Sequence, residues 1–237
     1  MKCLNCQYEH EEKFCPNCGQ KADIPKITFE SVILSGITTL TSMDQGFFFN
    51  FRELFLRPKA LVKDYLNGRR KSILNPVSYL ILCTTVYLII VRLVDAGPPP
   101  VMEYYEENRE KMPGLTEGSY STGKFIGENL KYFWILSIFW LSFSTKLIFK
   151  KLNLAEHMAL NAFTLGQATL ITSVSEFFMT WPIFFNPLPF LFLMVLTYKI
   201  FQTKKWDIEA MVQSFLSILL FIIQFLLIMV LLFFVIN

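Results

Sequence analysis

Charge is what this sequence has least of. Only 17% of its 237 residues are Asp, Glu, Lys or Arg, two are histidine, and the formal net charge is +3. A balance so close to neutral excludes nucleic-acid binding driven by bulk electrostatics. The patterns that mark common catalytic machinery are missing as well: no P-loop, no Gly-rich dinucleotide turn, no G-x-S-x-G and no H-E-x-x-H. A non-enzymatic protein is therefore expected. The N-terminus is polar and cysteine-rich where a signal peptide would carry its apolar stretch, so membrane insertion is expected to begin at an internal segment. Disulfide chemistry has little material too, since four of the five cysteines cluster in one short stretch and Cys83 stands alone in an apolar run. Cys83 has no base nearby in sequence and reads as a small buried hydrophobe.

What the chain has in excess is apolar side chain. With 53% hydrophobic and 16% aromatic residues and a mean hydropathy of +0.42, it exceeds what one soluble core of this length needs. A bilayer is the natural sink. Five segments are read as transmembrane helices: 77–94, 130–149, 158–178, 183–201 and 210–236. Each approaches the ~20 residues that ~30 Å of hydrocarbon demands. The fourth is the weakest, because Pro182, Pro187 and Pro189 crowd its start. Loop charges orient the set. Arg69, Arg70, Lys71, Lys146, Lys150, Lys151, Lys199, Lys204 and Lys205 fall on the side of the N-terminus, while the 95–130 loop opposite is rich in Asp and Glu. The positive-inside rule then predicts a cytoplasmic N-terminus and a periplasmic C-terminus in a bacterial inner membrane. A short helix near Met102 to Lys111 is expected in the outer loop.

The cysteine cluster reads Cys3-Leu4-Asn5-Cys6, eight residues, then Cys15-Pro16-Asn17-Cys18-Gly19. Two C-x2-C pairs on tight turns can converge on one tetrahedral ion, and thiolates select zinc over harder cations. Residues 1–22 are thus predicted to form a zinc ribbon with a structural Zn2+ held by Cys3, Cys6, Cys15 and Cys18. Four protein thiolates leave no open coordination position, which excludes a catalytic zinc.

Between ribbon and first span, residues 27–76 show apolar residues at helical spacing in three stretches, the first over 27–43, the second from Phe47 to Phe55 and the third from Pro58 to Leu66. None is long or apolar enough to span. With aromatic faces, basic faces and the terminal run Arg69-Arg70-Lys71, they read as interfacial helices on anionic lipid.

Several of these residues together resemble a known family. They are Phe14-Cys15-Pro16-Asn17-Cys18-Gly19-Gln20, Asp44-Gln45-Gly46-Phe47, Arg52 to Pro58, Tyr65-Leu66-Asn67-Gly68-Arg69-Arg70-Lys71 before Asn75-Pro76, and Glu156-His157. The pattern resembles the zinc-ribbon inner-membrane proteins of Bacteroidota classed as a domain of unknown function, the 3667 type. That resemblance supplies no activity.

Polar residues inside spans mark either helix-to-helix hydrogen bonds or a pathway. The third span is richest, and His157, Asn161, Gln167 and Glu176 form its candidate polar track, with Glu176 placed near the outer end within reach of water. The fold class expected is an all-α polytopic membrane protein: five transmembrane helices preceded by interfacial helices and a zinc ribbon. Its expected role is a scaffold or accessory subunit that docks a protein partner or anionic lipid, or forms a homo-oligomer. The alternative is a small oligomeric transporter or channel built on the polar track.

Overall fold

A computed structural model describes residues 1–23, 28, 46–94, 115–178, 183 and 186–236. The amphipathic stretch expected over 27–43 and the short helix expected near Met102 to Lys111 lie outside them. Among the described residues the protein is helical, with no strand beyond two isolated antiparallel bridges in the first 22 residues. The helices are α1 (Gly46–Leu56), α2 (Pro58–Leu66), α3 (Pro76–Leu93), α4 (Leu115–Ile148), α5 (Leu154–Ser175), α6 (Pro187–Phe201) and α7 (Ile208–Ile236).

Local sequence sets most of the boundaries. Asn75 caps α3 by accepting from the backbone N–H of Val77 and Ser78, and Pro76 fills the first helical position, where no N–H is needed. Asn186 and Pro187 repeat the device at α6. Asn153 and Glu156 form a reciprocal capping box at α5. Two boundaries differ most from expectation. Helix α4 begins at Leu115, inside the region predicted as the 95–130 loop. Its first turns are rich in Gly, Ser, Thr and charged residues, so a hydropathy reading passes over them. Helix α6 begins at Pro187 instead of Ile183 and has 15 residues, short of a full hydrocarbon crossing.

Among the described residues two helices are long and apolar enough to cross a membrane, Pro76–Leu93 and Ile208–Leu232, while Tyr132–Ile148 and Pro187–Phe201 are shorter apolar helices. Helix α5 fails that test for a physical reason. It is the centre of the assembly, and His157 to Thr169 is buried without a break, so its surface meets protein on every side. A helix clad in other helices does not have to be apolar.

Residue pairings give the directions. Tyr79 meets Gln167 and Tyr87 meets Glu176, at separations of 88 and 89 residues, so α3 and α5 run parallel. Between α4 and α5 the separation shrinks from 35 (Trp134–Thr169) through 19 (Ser142–Asn161) to 8 (Phe149–His157), the mark of an antiparallel hairpin. Helix α6 returns alongside α5, with Asn186 on Ser175 at one end and the Phe201 ring near His157 at the other. Gly166 permits a close approach of α3 to α5: a Cβ there would lie 3.0 Å from Tyr79 Cδ1 and 3.2 Å from Leu80 Cα. Helix α7 covers α4 and α6, contributing Ile218 and Phe221 to a core with Trp134, Leu141 and Leu193. Its other face, including Phe215, Leu226, Leu227 and Phe234, stays exposed.

Helices α1 and α2 pack on this assembly instead of standing apart from it. Leu54, Leu61, Val62 and Tyr65 are buried with Tyr79, Phe163 and Ile200 in one cluster. Asn50 clamps the turn before α3, donating to the Leu74 carbonyl at 3.0 Å and accepting from the Leu74 N–H at 3.2 Å.

Candidate metal centre

The first 22 residues form two knuckles built to one plan. The Cys3 N–H donates to the Tyr8 carbonyl and the Gln7 N–H returns to the Cys3 carbonyl; the Cys15 N–H donates to Gln20 and the Gly19 N–H to Cys15. Each turn needs one left-handed residue, Gln7 (φ 64°) in the first and Gly19 (φ 69°) in the second. The plan gathers the sulfurs. Cys3 Sγ lies 3.6 Å from Cys18 Sγ, Cys6 Sγ 3.5 Å from Cys15 Sγ, and all four fall within 4.8 Å of one another. Bonds of ~2.3 Å to a tetrahedral zinc put sulfurs about 3.8 Å apart, so the arrangement fits such an ion.

The thiols are unevenly prepared for it. Backbone N–H donation, from Cys6 to Cys3 and from Tyr8 to Cys6, favours the thiolate at both; Cys6 is brought down to about 6. Cys15 is buried, and desolvation pushes its thiol up to about 11. A metal cation there would have to displace that proton itself. Little else holds the ribbon, whose only buried apolar residues are Cys3 and Cys15. His10 is 9% exposed, and neither of its ring nitrogens has a hydrogen-bond partner.

The ribbon is seated on the helices by Gln20, a residue that spacing arguments passed over although it ends the Cys18-Gly19-Gln20 run. Its side chain is buried, donates to the Gly68 carbonyl at 2.5 Å, and accepts from the N–H of both Arg70 and Lys71 at 3.2 Å. Gly68 has φ 95°, which folds the loop after α2 into a cup for that amide. Arg69 adds a bond to the Leu4 carbonyl at 3.1 Å and an ion pair to Asp64 at 3.4 Å. Arg70 lies over the Tyr65 ring, 5.2 Å from its centre. Within the basic run, the Arg69 side chain and the backbone N–H groups of Arg70 and Lys71 hold the ribbon, while the Lys71 side chain stays exposed.

The candidate polar track divides into three separate pairings. His157 bonds to Thr145 and to the Phe149 carbonyl, and Asn161 donates to Ser142 and Thr145, tying α5 to α4. Gln167 accepts from the Tyr79 hydroxyl and donates to the Phe51 carbonyl. Glu176 is 2% exposed and accepts from Tyr87 at 3.3 Å, which corrects its expected place in reach of water: α3 runs parallel to α5 and lays Tyr87 against it. Cys83 is fully buried in the core.

Fold and site together define a protein that, among its described residues, is helical, with two membrane-competent helices and a four-cysteine centre able to hold a metal ion. Residues 44–88 match the family described as Protein of unknown function (DUF3667). The matched stretch covers α1, α2, the ribbon's seat and most of α3, so the chain is similar there to an uncharacterised family. No curated protein and no solved structure matches the chain.

Proposed function

We propose that this protein is a multi-pass scaffold or accessory subunit of a bacterial inner membrane, with a structural zinc ribbon on the cytoplasmic side that presents a rigid docking surface to a protein partner. The observation that carries this reading is the Gln20 seat. A ribbon hung on a linker would be a free module, whereas this one is held to the helices by three hydrogen bonds from a single buried amide. Leu4, Tyr8 and Phe14 of the ribbon keep exposed apolar side chains of the kind a partner can cover.

The membrane part of the proposal has five crossings, with α4, α5 and the short α6 supplementing α3 and α7. The exposed apolar face of α7 supports it, since a contiguous apolar stripe of that length is foreign to water-soluble monomers. The basic residues gathered at the α4–α5 and α6–α7 turns support a cytoplasmic placement of those turns and of the ribbon. Pairwise bonding of the polar residues of α5 favours packing between helices over a transport pathway.

The test is purification of the full chain in mild detergent after chemical cross-linking in cells, beside the Cys15→Ser/Cys18→Ser variant. A defined partner is expected with the parent chain and lost from the variant. Its absence from both would remove the docking role. Alkaline phosphatase fused after residue 237 is expected to be active, and inactive when fused within 150–151.

A further inference from the structure

A cleft of about 450 Å³ opens where α2 meets the end of α6, and its lining carries Arg57, Lys59, Lys63 and Lys199 with no acidic side chain. Arg57 is partly neutralised by Glu53 of its own chain. Lys59 gives one hydrogen bond to the Gln202 carbonyl and keeps further N–H donors. Lys63 and Lys199 are exposed. Gathering this much positive charge has a standing cost that an anion would relieve.

What kind of anion follows from the neighbouring helix. Exposed Phe48, Phe51 and Phe55 recur at i, i+3 and i+7 and form one stripe along α1 that ends at Leu56, itself part of the cleft wall. From the cleft the stripe runs back along α1 toward Gly46, which packs on Leu74 just ahead of α3. The cleft sits level with the basic rim, because Gln202 follows Phe201, whose ring stacks on Phe149 beside His157 in the first turn of α5. The Phe51 carbonyl instead meets Gln167, ten residues and so about 15 Å further along the α5 axis at 1.5 Å per residue, level with Tyr79 in the first turn of α3. An apolar ledge running from a cationic cleft to the start of a membrane-competent helix has the polarity of one lipid molecule.

We propose that the cleft is a binding site for an anionic glycerophospholipid, its phosphate held by Lys59, Lys63 and Lys199 and one acyl chain lying along Phe48, Phe51 and Phe55. The assignment rests on the membrane reading above and places a lipid site at the end of α2 opposite to Arg69, Arg70 and Lys71.

The test uses the full chain in mild detergent, observed by native mass spectrometry with equal amounts of dioleoyl phosphatidylglycerol and dioleoyl phosphatidylcholine. The expected result is retention of phosphatidylglycerol about tenfold over phosphatidylcholine, consistent with several lysines acting on one headgroup. Lys59→Gln/Lys63→Gln/Lys199→Gln is expected to abolish that preference. The same charge change at Lys150, Lys151 and Lys204 is expected to leave it intact. Equal loss in both triple variants would mean diffuse surface charge and would overturn the site. So would inorganic phosphate or glycerophosphoglycerol binding to the unmodified chain as tightly as the whole lipid, since the ledge would then contribute nothing. Flotation separates the two readings. A chain that fails to float with phosphatidylcholine vesicles removes the membrane reading, whereas one that floats but shows no preference for phosphatidylglycerol removes only the cleft.

Discussion

The ribbon and helix α5 are held together by opposite means. Residues 1–22 bury almost no apolar side chain and converge on four sulfurs, so their order depends on whatever binds there. Helix α5 has no such centre and needs none, because its residues from His157 to Thr169 are enclosed by neighbouring helices and most of its polar side chains bond to those helices or to its own backbone carbonyls. The contrast teaches that one chain can contain a module made by chemistry and a body made by packing, joined chiefly through the Gln20 amide and by Arg69.

The largest expected effect breaks the ribbon and spares the body. Cys15→Ser removes a ligand from a site whose metal is worth about 10 kcal/mol or more in comparable small modules. Elemental analysis of the purified protein is expected to show bound zinc near one per chain in the parent and in Cys83→Ser, and none in Cys15→Ser. Helical circular dichroism of all three should coincide; a collapse of helicity in Cys15→Ser would show that the two regions are not separable.

The reverse experiment strikes the body. Gly166→Ala places a methyl against the Tyr79 ring and against the Leu80 backbone, which cannot rotate away. Overpacking of this kind costs about 1–3 kcal/mol, more than the ~1 kcal/mol that Ala gains over Gly in a helix. A lower thermal midpoint in detergent with unchanged zinc content is the expected outcome. An unchanged or raised midpoint would mean that α3 and α5 pack less closely than described.

A smaller effect is expected at the joint. Gln20→Ala leaves the Gly68 carbonyl and two N–H groups without their partner, a loss of about 1–3 kcal/mol. Zinc should stay bound while limited proteolysis after residue 22 becomes several-fold faster. If the cleavage rate does not change, Arg69 and the linker suffice to hold the ribbon.

The smallest effect concerns the entrance to α7, where Asp207 accepts from the Thr203 N–H, the Thr203 hydroxyl and the Ala210 N–H, which bring its carboxyl down from 3.8 to about 2. A carboxyl lowered on folding stabilises fully above its unfolded value and loses that contribution as pH falls through the folded one. The gap in thermal midpoint between parent and Asp207→Asn is therefore expected to be constant above about pH 5 and to close between about pH 4 and pH 2. A gap that persists at pH 2 would assign the stabilisation to shape rather than charge.

Much of this was legible locally. Spacing alone brings the cysteines together, because each C-x2-C closes on its own turn and Gly19 stands where the backbone must be left-handed. Helix caps at Asn75, Asn153 and Asn186 are likewise short-range, as are the apolar runs of α3 and α7. The first turns of α4 were hidden by their polar composition, since hydropathy sees solvent preference and not helicity.

What tertiary structure alone decided are the contacts made across long stretches of chain. Gln20 meets Gly68 over 48 residues, and Lys59 meets Gln202 over 143. No periodicity in a sequence encodes such a meeting; it follows from which helices pack and at what depth. So the backbone at 70–71 became the seat of Gln20, Glu176 turned from a wet end into a buried acceptor, and four cations at 57, 59, 63 and 199 came together in one cleft. Local rules fix geometry within a turn, where a few dihedral angles determine every distance, whereas neighbours far apart in sequence are fixed only when packing closes the chain around them.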